Sequence, residues 1–302
     1  MESADQRGWD ELIPEVLGSI FSNLSLEDVL TVVPIVCKSW YKVVMGPYCW
    51  QIIDIEEWSD HQCHLNQIER MLWLLIPRTN GSFRKLSVSR LQYDHAFSFI
   101  ADNSHSLQIL RLTRSKISDS IVEQLADRLS SLTFLDLSYC DKIGTRALEA
   151  IGKHCKSLVG LCFNMHPLDM WEKPSKKDEA HAIATTMTKL KHLELTYICI
   201  DTTSVLEIIC NCPNLEFIDV RGNWDVKLDN KWLKDKFSKL TVLGPHVVDH
   251  LEKHCCYECE DSSNYSDSDY GSWDESDDDG RLEIILYQGQ DEDCDDGWPP
   301  SP

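Results

Sequence analysis

The chain reads as an α/β protein: a head of three short helices precedes a curved solenoid with parallel strands on its concave side and helices outside, and an acidic tail follows. Three observations carry this. First, an apolar-x-x-apolar-x-apolar pattern recurs at Phe83/Leu86/Val88, Leu107/Leu110/Leu112, Leu132/Leu135/Leu137, Leu158/Leu161/Phe163, Leu190/Leu193/Leu195 and Leu215/Ile218/Val220, with a partial unit at Leu240/Leu243; the first positions are 24, 25, 26, 32, 25 and 25 residues apart. Second, residues 13–50 carry apolar side chains at helical spacing. Third, charge is unevenly spread: from Glu258 to Pro302, 16 acidic residues face Arg281 alone, which accounts for −15 of the net −21 and leaves −6 for the rest.

The head comes first. Pro14 suits the opening turn of a helix, where its missing N–H costs nothing, and Val16, Leu17, Ile20, Phe21 and Leu24 then share one face. That helix should end between Asn23 and Ser25. Ser25, with Glu27 and Asp28 behind it, is a helix-start signal for a second helix carrying Val29, Leu30 and Val33. Pro34 should stop or kink that helix at Val32 or Val33. A third helix is expected to hold Val36, Cys37 and Trp40. So short a segment cannot bury this many apolar side chains by itself, which implies a partner that covers them.

In each repeat the strand pattern is followed by a helical one: Ile117, Ile121, Leu125, Ala126 and Leu129 in one unit, Ile143, Ala147, Leu148 and Ile151 in the next. One such unit cannot bury both its faces, so neighbours must stack. A helix over His64 to Ile76, with Leu65, Ile68, Met71, Leu72, Leu75 and Ile76 inward, is expected to cap the open end and stiffen the join to the head. The 32-residue interval marks an insertion, residues 166–178, which reads as an exposed loop, either neutral length variation or a contact loop with Met170 and Trp171 as apolar anchors. Domain boundaries are placed at 10–50 for the head, 51–82 for a linker and cap helix, 83–250 for the solenoid and 258–302 for the tail.

Two family resemblances follow from these residues. Ile13-Pro14, Glu15-Val16-Leu17, Ile20-Phe21, Leu24, Asp28-Val29 and Val36-Cys37-Lys38-Ser39-Trp40-Tyr41 resemble an F-box, with Pro34 departing from the pattern and a GPYCWQ-type tail similar to a plant group of the family. The repeats resemble cysteine-containing leucine-rich repeats, through Cys140 and the Cys-x-x-Leu pairs Cys155/Leu158 and Cys212/Leu215; Ser115, His166, Ile198 and Asn223 occupy the place of Cys140 elsewhere. The F-box resemblance implies a substrate adaptor of a Skp1-cullin ubiquitin ligase, with Pro14, Val16, Leu17, Ile20, Phe21, Leu24, Val29, Val36, Cys37 and Trp40 meeting a Skp1-like protein, cullin joined through it, and the repeats choosing a protein substrate for ubiquitination and degradation. A non-ligase repeat scaffold is the alternative. Substrate contacts are expected at Arg111, Asp136, Asn164, Trp171, Glu194, Asp219 and Arg221, between the buried strand positions.

Other classes are disfavoured. No basic patch suits nucleic acid. The apolar run from Val29 to Cys37 is interrupted by Thr31 and Pro34 and far shorter than the roughly 20 residues a membrane span needs. The acidic amino terminus has no apolar leader, so a place in the cytoplasm or nucleus is expected. There the 13 cysteines should be buried thiols rather than disulfides. Catalysis is not expected: Cys155 follows His154, but neighbours on a helix point apart, and no phosphate loop is present. Cofactors and metals are not expected either, because the spacing of His250, His254, Cys255, Cys256 and Cys259 matches no common zinc finger. The serine-rich acidic tail is too poor in apolar residues to offset ordering entropy and should be disordered, apart from Leu282 to Tyr287, a docking segment or extra strand.

Overall fold

The computed structural model describes Trp9 and residues 12–62, 64–167 and 175–246. Trp171, the cluster from His250 to Cys259 and the acidic tail with Leu282 to Tyr287 lie outside the described residues.

In the head, α1 spans Pro14–Phe21, with Pro14 in the first turn as its missing donor favours. The second helix begins where Ser25 caps Asp28, Oγ accepting from the Asp28 amide at 3.1 Å. It then widens. Asp28–Val32 is a π-helical turn closed by the Val33 amide on the Asp28 carbonyl, and α2 (Val33–Val36) continues from it. The change at Val32/Val33 falls where Pro34 demands it, and the wider turn lets the chain go on through the proline instead of stopping. The expected third helix is shifted: Val36 closes α2, Cys37 is extended (φ −161°, ψ 165°), and α3 (Lys38–Met45) carries Trp40.

The repeats form one eight-stranded parallel sheet in strict chain order. Its strands are β1 (Ile52–Asp54), β2 (Lys85–Ser89), β3 (Ile109–Thr113), β4 (Phe134–Asp136), β5 (Gly160–Cys162), β6 (His192–Glu194), β7 (Phe217–Asp219) and β8 (Thr241–Leu243). The helices α4 (Glu56–His61), α5 (Leu65–Arg78), α6 (Asp94–Asp102), α7 (Asp119–Leu125), α8 (Thr145–His154), α9 (Lys177–Thr186), α10 (Thr202–Asn211) and α11 (Asn230–Lys236) connect them. Register is constant, Leu86 beside Leu110, then Leu135, Leu161, Leu193 and Ile218. These and the next inward column, Val88, Leu112, Leu137, Phe163, Leu195 and Val220, are all fully buried.

The residue seven positions into a unit is left-handed in Arg90, Arg114, Tyr139, Tyr197 and Gly222. That turn lifts the chain off the sheet towards its helix, at the cost non-glycine residues incur for positive φ. The next residue then ties units together. The Cys140 thiol donates to the Leu112 carbonyl at 2.9 Å, Ser115 Oγ accepts from the Leu91 amide at 3.1 Å, and Asn223 Nδ2 donates to the Leu195 carbonyl at 2.7 Å. Cysteine, serine and asparagine thus share one position because each hydrogen-bonds the backbone of the preceding unit. The Cys-x-x-Leu cysteines do the same at the helix ends, Cys155 to the Leu129 carbonyl (3.2 Å) and Cys212 to the Met187 carbonyl (3.6 Å). Burial pushes the Cys140 and Cys155 thiols up to about 12 and those of Cys49 and Cys212 up to about 11, so they are protonated structural groups.

The segment between head and repeats holds more than a linker and cap helix, since β1 is the first strand of the sheet and pairs with β2. Helix α5 is close to the expected span and buries Ile68, Met71, Leu72, Leu75 and Ile76. The insertion is shorter than its sequence pattern indicated, because α9 already begins at Lys177, with Lys176 anchored on the Ile143 carbonyl at 3.2 Å and placed 5.0 Å over the Phe163 ring. Head and repeats share one continuous apolar core from Leu17 to Leu233. Trp50 sits in the join, its indole donating to the Val44 carbonyl at 2.7 Å.

Gly18 lets α1 lie against the Tyr48 segment, where a Cβ would stand 2.5 Å from the Tyr48 carbonyl oxygen. Gly18→Ala should therefore lower the unfolding free energy by about 1–3 kcal/mol through overpacking, as a drop in the urea midpoint would record.

Candidate functional site

The head divides its apolar residues between an interior and an outer face. Leu17 and Phe21, one turn apart, point inward to meet Val29, Leu30, Val33, Val43 and Val44, and the Phe21 ring lies 4.9 Å from that of Trp40. The Trp40 indole Nε1 is buried there without a hydrogen-bond partner. The opposite stripe, Ile13, Val16, Ile20 and Leu24, is 37–60% exposed, and on α2 Ile35 and Val36 are 76% and 54% exposed. Six large aliphatic side chains in so short a segment form the kind of surface that marks an interaction site. Of the ten head residues singled out from the sequence, Pro14, Val16, Ile20, Leu24 and Val36 lie at the surface, Cys37 and Trp40 are half-buried, and Leu17, Phe21 and Val29 belong to the interior. Ile13 and Ile35 were missing from that set. Ile13 is three residues before Val16 and so on its stripe, while the neighbouring proline hid Ile35 from any periodic reading.

The second surface is the concave face of the sheet. Its side chains come from two columns: one of Arg111, Asp136, Cys162, Glu194 and Asp219, whose charged members were identified from the sequence, and a parallel one of Ile109, Phe134, Gly160, His192 and Phe217 that was overlooked. Period-two alternation from the buried leucines would have found it. Gly160 leaves a notch into which Phe134 leans, for a Cβ there would stand 2.4 Å from the Phe134 ring. Across the notch the Phe134 and His192 rings are 6.4 Å apart, and His192 stacks on Phe217 at 4.6 Å and 6°.

Polar groups across the face are hydrogen-bonded to one another. Asn164 Nδ2 donates to Ser138 Oγ and to Glu194 Oε2, both at 3.1 Å, while its Oδ1 accepts from the amide and hydroxyl of Thr196, both at 2.9 Å. His192 Nε2 is 2.8 Å from Glu194 Oε1. Arg221 grips Asp219 through Nε and Nη2, the latter at 2.6 Å. Arg111 lies 5.5 Å over the Phe134 ring, its buried Nε lacking a partner. Burial pushes the Asp136 carboxyl up, against hydrogen bonds from Ser138 and the charge of Arg111. Burial acts the same way on Glu194, but the hydrogen bonds from His192 and Asn164 outweigh it and hold that carboxyl below its ordinary value. At the head end the face is closed. Ser87 and Ser89 are fully buried beneath α4, where Ser59 Oγ lies 2.7 Å from Ser89 Oγ and Thr113 donates to Glu56 at 2.7 Å. The sequence-identified contact residues from Arg111 to Arg221 thus share one groove, except Trp171, which lies outside the described residues.

Among known proteins, an F-box-like family model matches residues 9–56 and a leucine-rich-repeat model residues 128–152. The Arabidopsis thaliana F-box protein FBW2 is 50% identical over all of this chain and 99% of its own length. This chain belongs to the F-box family. Two further F-box proteins of the same plant, SKIP1 and SKIP19, are each 31% identical, over 79% and 91% of this chain and 86% and 89% of their own. Among solved structures, the yeast Rad7 and Elc1 complex has a chain that aligns with 58% of this F-box protein and 44% of itself, at a TM-score of 0.44 and 20% identity, a likeness too loose to add weight. Among the described residues of the F-box protein, no helix is long and apolar enough to cross a membrane.

An aspartate whose folded-state pKa is raised loses stability as pH climbs through that value, because folding favours its neutral form. Asp136→Asn should accordingly match or exceed the parent in unfolding free energy at neutral pH. That advantage should shrink as pH falls below the ordinary aspartate value, in denaturation series run at both pH values.

Proposed function

We propose that this F-box protein is the substrate-recognition subunit of a Skp1-cullin-F-box ubiquitin ligase. The observation that carries it is the exposed aliphatic face Ile13, Val16, Ile20, Leu24, Ile35 and Val36 on a head that matches the F-box family. That face is the seat for a Skp1-like protein, with cullin joined through it. Leu17, Phe21 and Val29 act from within, holding the helices that present the contacts. A protein target occupies the concave groove, its selection leads to ubiquitination and degradation, and the chain itself is a non-catalytic adaptor working in the cytoplasm or nucleus. The continuous core from head to repeats supports this, because an adaptor must hold its target in a fixed position relative to the transfer machinery.

Placing a charge on the outer stripe separates contact from folding. Val16→Asp with Ile20→Asp should leave the circular dichroism spectrum and melting temperature nearly unchanged while abolishing co-purification of Skp1 and cullin; retention of both proteins would overturn the reading. By contrast, Leu17→Ala should destabilise the head by about 2–5 kcal/mol whether or not a partner is present. Reversing two charges in the groove, Asp136→Lys with Glu194→Lys, should reduce target capture and leave Skp1 recovery intact, as comparison of proteins bound by the two forms would reveal.

A further inference from the structure

We infer that the concave groove holds a zinc-class metal site built from Cys162, His192 and Glu194. This goes beyond the adaptor reading and stands or falls independently of it. Cys162 on β5 is the register partner of Glu194 on β6, and His192 precedes Glu194 by two residues, so all three side chains leave the same face of two adjacent strands. Their ligating atoms, one sulfur, one imidazole nitrogen and one carboxylate oxygen, lie within 4.8 Å of one another. Tetrahedral zinc with bond lengths near 2.0–2.3 Å needs ligand separations of about 3.4–3.6 Å, so the 2.8 Å contact between His192 Nε2 and Glu194 Oε1 opens as the metal enters.

The surroundings orient the ligands. Phe217 stacks on the His192 ring and Phe134 flanks it across the Gly160 notch, which fixes the imidazole plane. Asn164 holds Glu194 Oε2, leaving Oε1 towards His192, and Asn164 is itself fixed by Thr196. Such outer partners raise metal affinity by reducing the freedom of the inner ligands. Cys162 is nearly buried, while the His192 and Glu194 side chains are 39% and 31% exposed, so a fourth position opens to the groove for water or for a side chain of a bound segment. The donor set of thiolate, imidazole and carboxylate suits zinc and excludes the all-oxygen preference of magnesium and calcium. On binding, the Cys162 thiol loses its proton to solvent, and thiolate plus carboxylate neutralise the dication.

The test uses the full chain under reducing conditions with Cys63, Cys255, Cys256, Cys259 and Cys294 changed to serine, so that thiols outside the described residues do not compete. Cobalt(II) is titrated as the spectroscopic probe and zinc(II) is used to displace it. One equivalent should bind with a thiolate-to-cobalt charge-transfer band. Cys162→Ala should remove the band, His192→Ala should weaken binding more than about tenfold, and Asn164→Ala should weaken it by about 10–100-fold while keeping the band. Denaturation curves of each variant confirm that it is folded. Absence of the band in the parent, or its survival in folded Cys162→Ala, overturns the site.

Discussion

The stacking of identical backbone turns is the constraint on which the rest of the molecule depends. Each repeat from β2 to β7 contributes two fully buried apolar side chains, and no unit can shield them without a neighbour on both sides. Leu86, Leu110, Leu135, Leu161, Leu193 and Ile218 form a continuous inner column only because the register never slips. That fixed register places the groove residues in columns, so the chemistry of the concave face is set by which residue alternates with which leucine. It also explains why left-handed residues recur at one position in five of the units, Arg90, Arg114, Tyr139, Tyr197 and Gly222, where the chain leaves the sheet for its helix.

The head follows a different logic. Its helices are too short to be stable alone and owe their order to packing around Leu17, Phe21 and Trp40 and to the junction at Trp50. The interior they make uses only part of their apolar surface. The remainder faces outward in a stripe along α1 and at the end of α2, so one short segment both folds and exposes a large aliphatic surface.

Much of this was legible in the sequence because it rests on period. The leucine spacing gave the strands, their order and the inward columns; Pro14 and Ser25 marked helix starts; and the polar groove from Arg111 to Arg221 followed from alternation. What escaped reading depends on three-dimensional company. A stripe of apolar residues on α1 does not reveal that Leu17 and Phe21 turn inward while Val16 and Ile20 turn outward, since adjacent positions differ by only about 100° around the helix. The strand at Ile52–Asp54 has no leucine pattern to announce it and forms because β2 offers it an edge. The closure of Ser87 and Ser89 by α4 comes from a helix outside the repeat pattern. Pro34 marked the change at Val32/Val33, but not that a π turn would carry the helix through it.

The position of β1 has a consequence for how this protein can be divided. The family match to the head runs to residue 56 and therefore takes in the whole of β1, so the F-box and the first rung of the horseshoe overlap in the chain. Cutting at residue 50 would strip β2 of its edge partner and sever Trp50 from the strand that follows. The two regions are fused at a shared structural boundary, and a chimera that borrows this head must carry the first rung with it or leave a raw, unpaired sheet margin open to other chains.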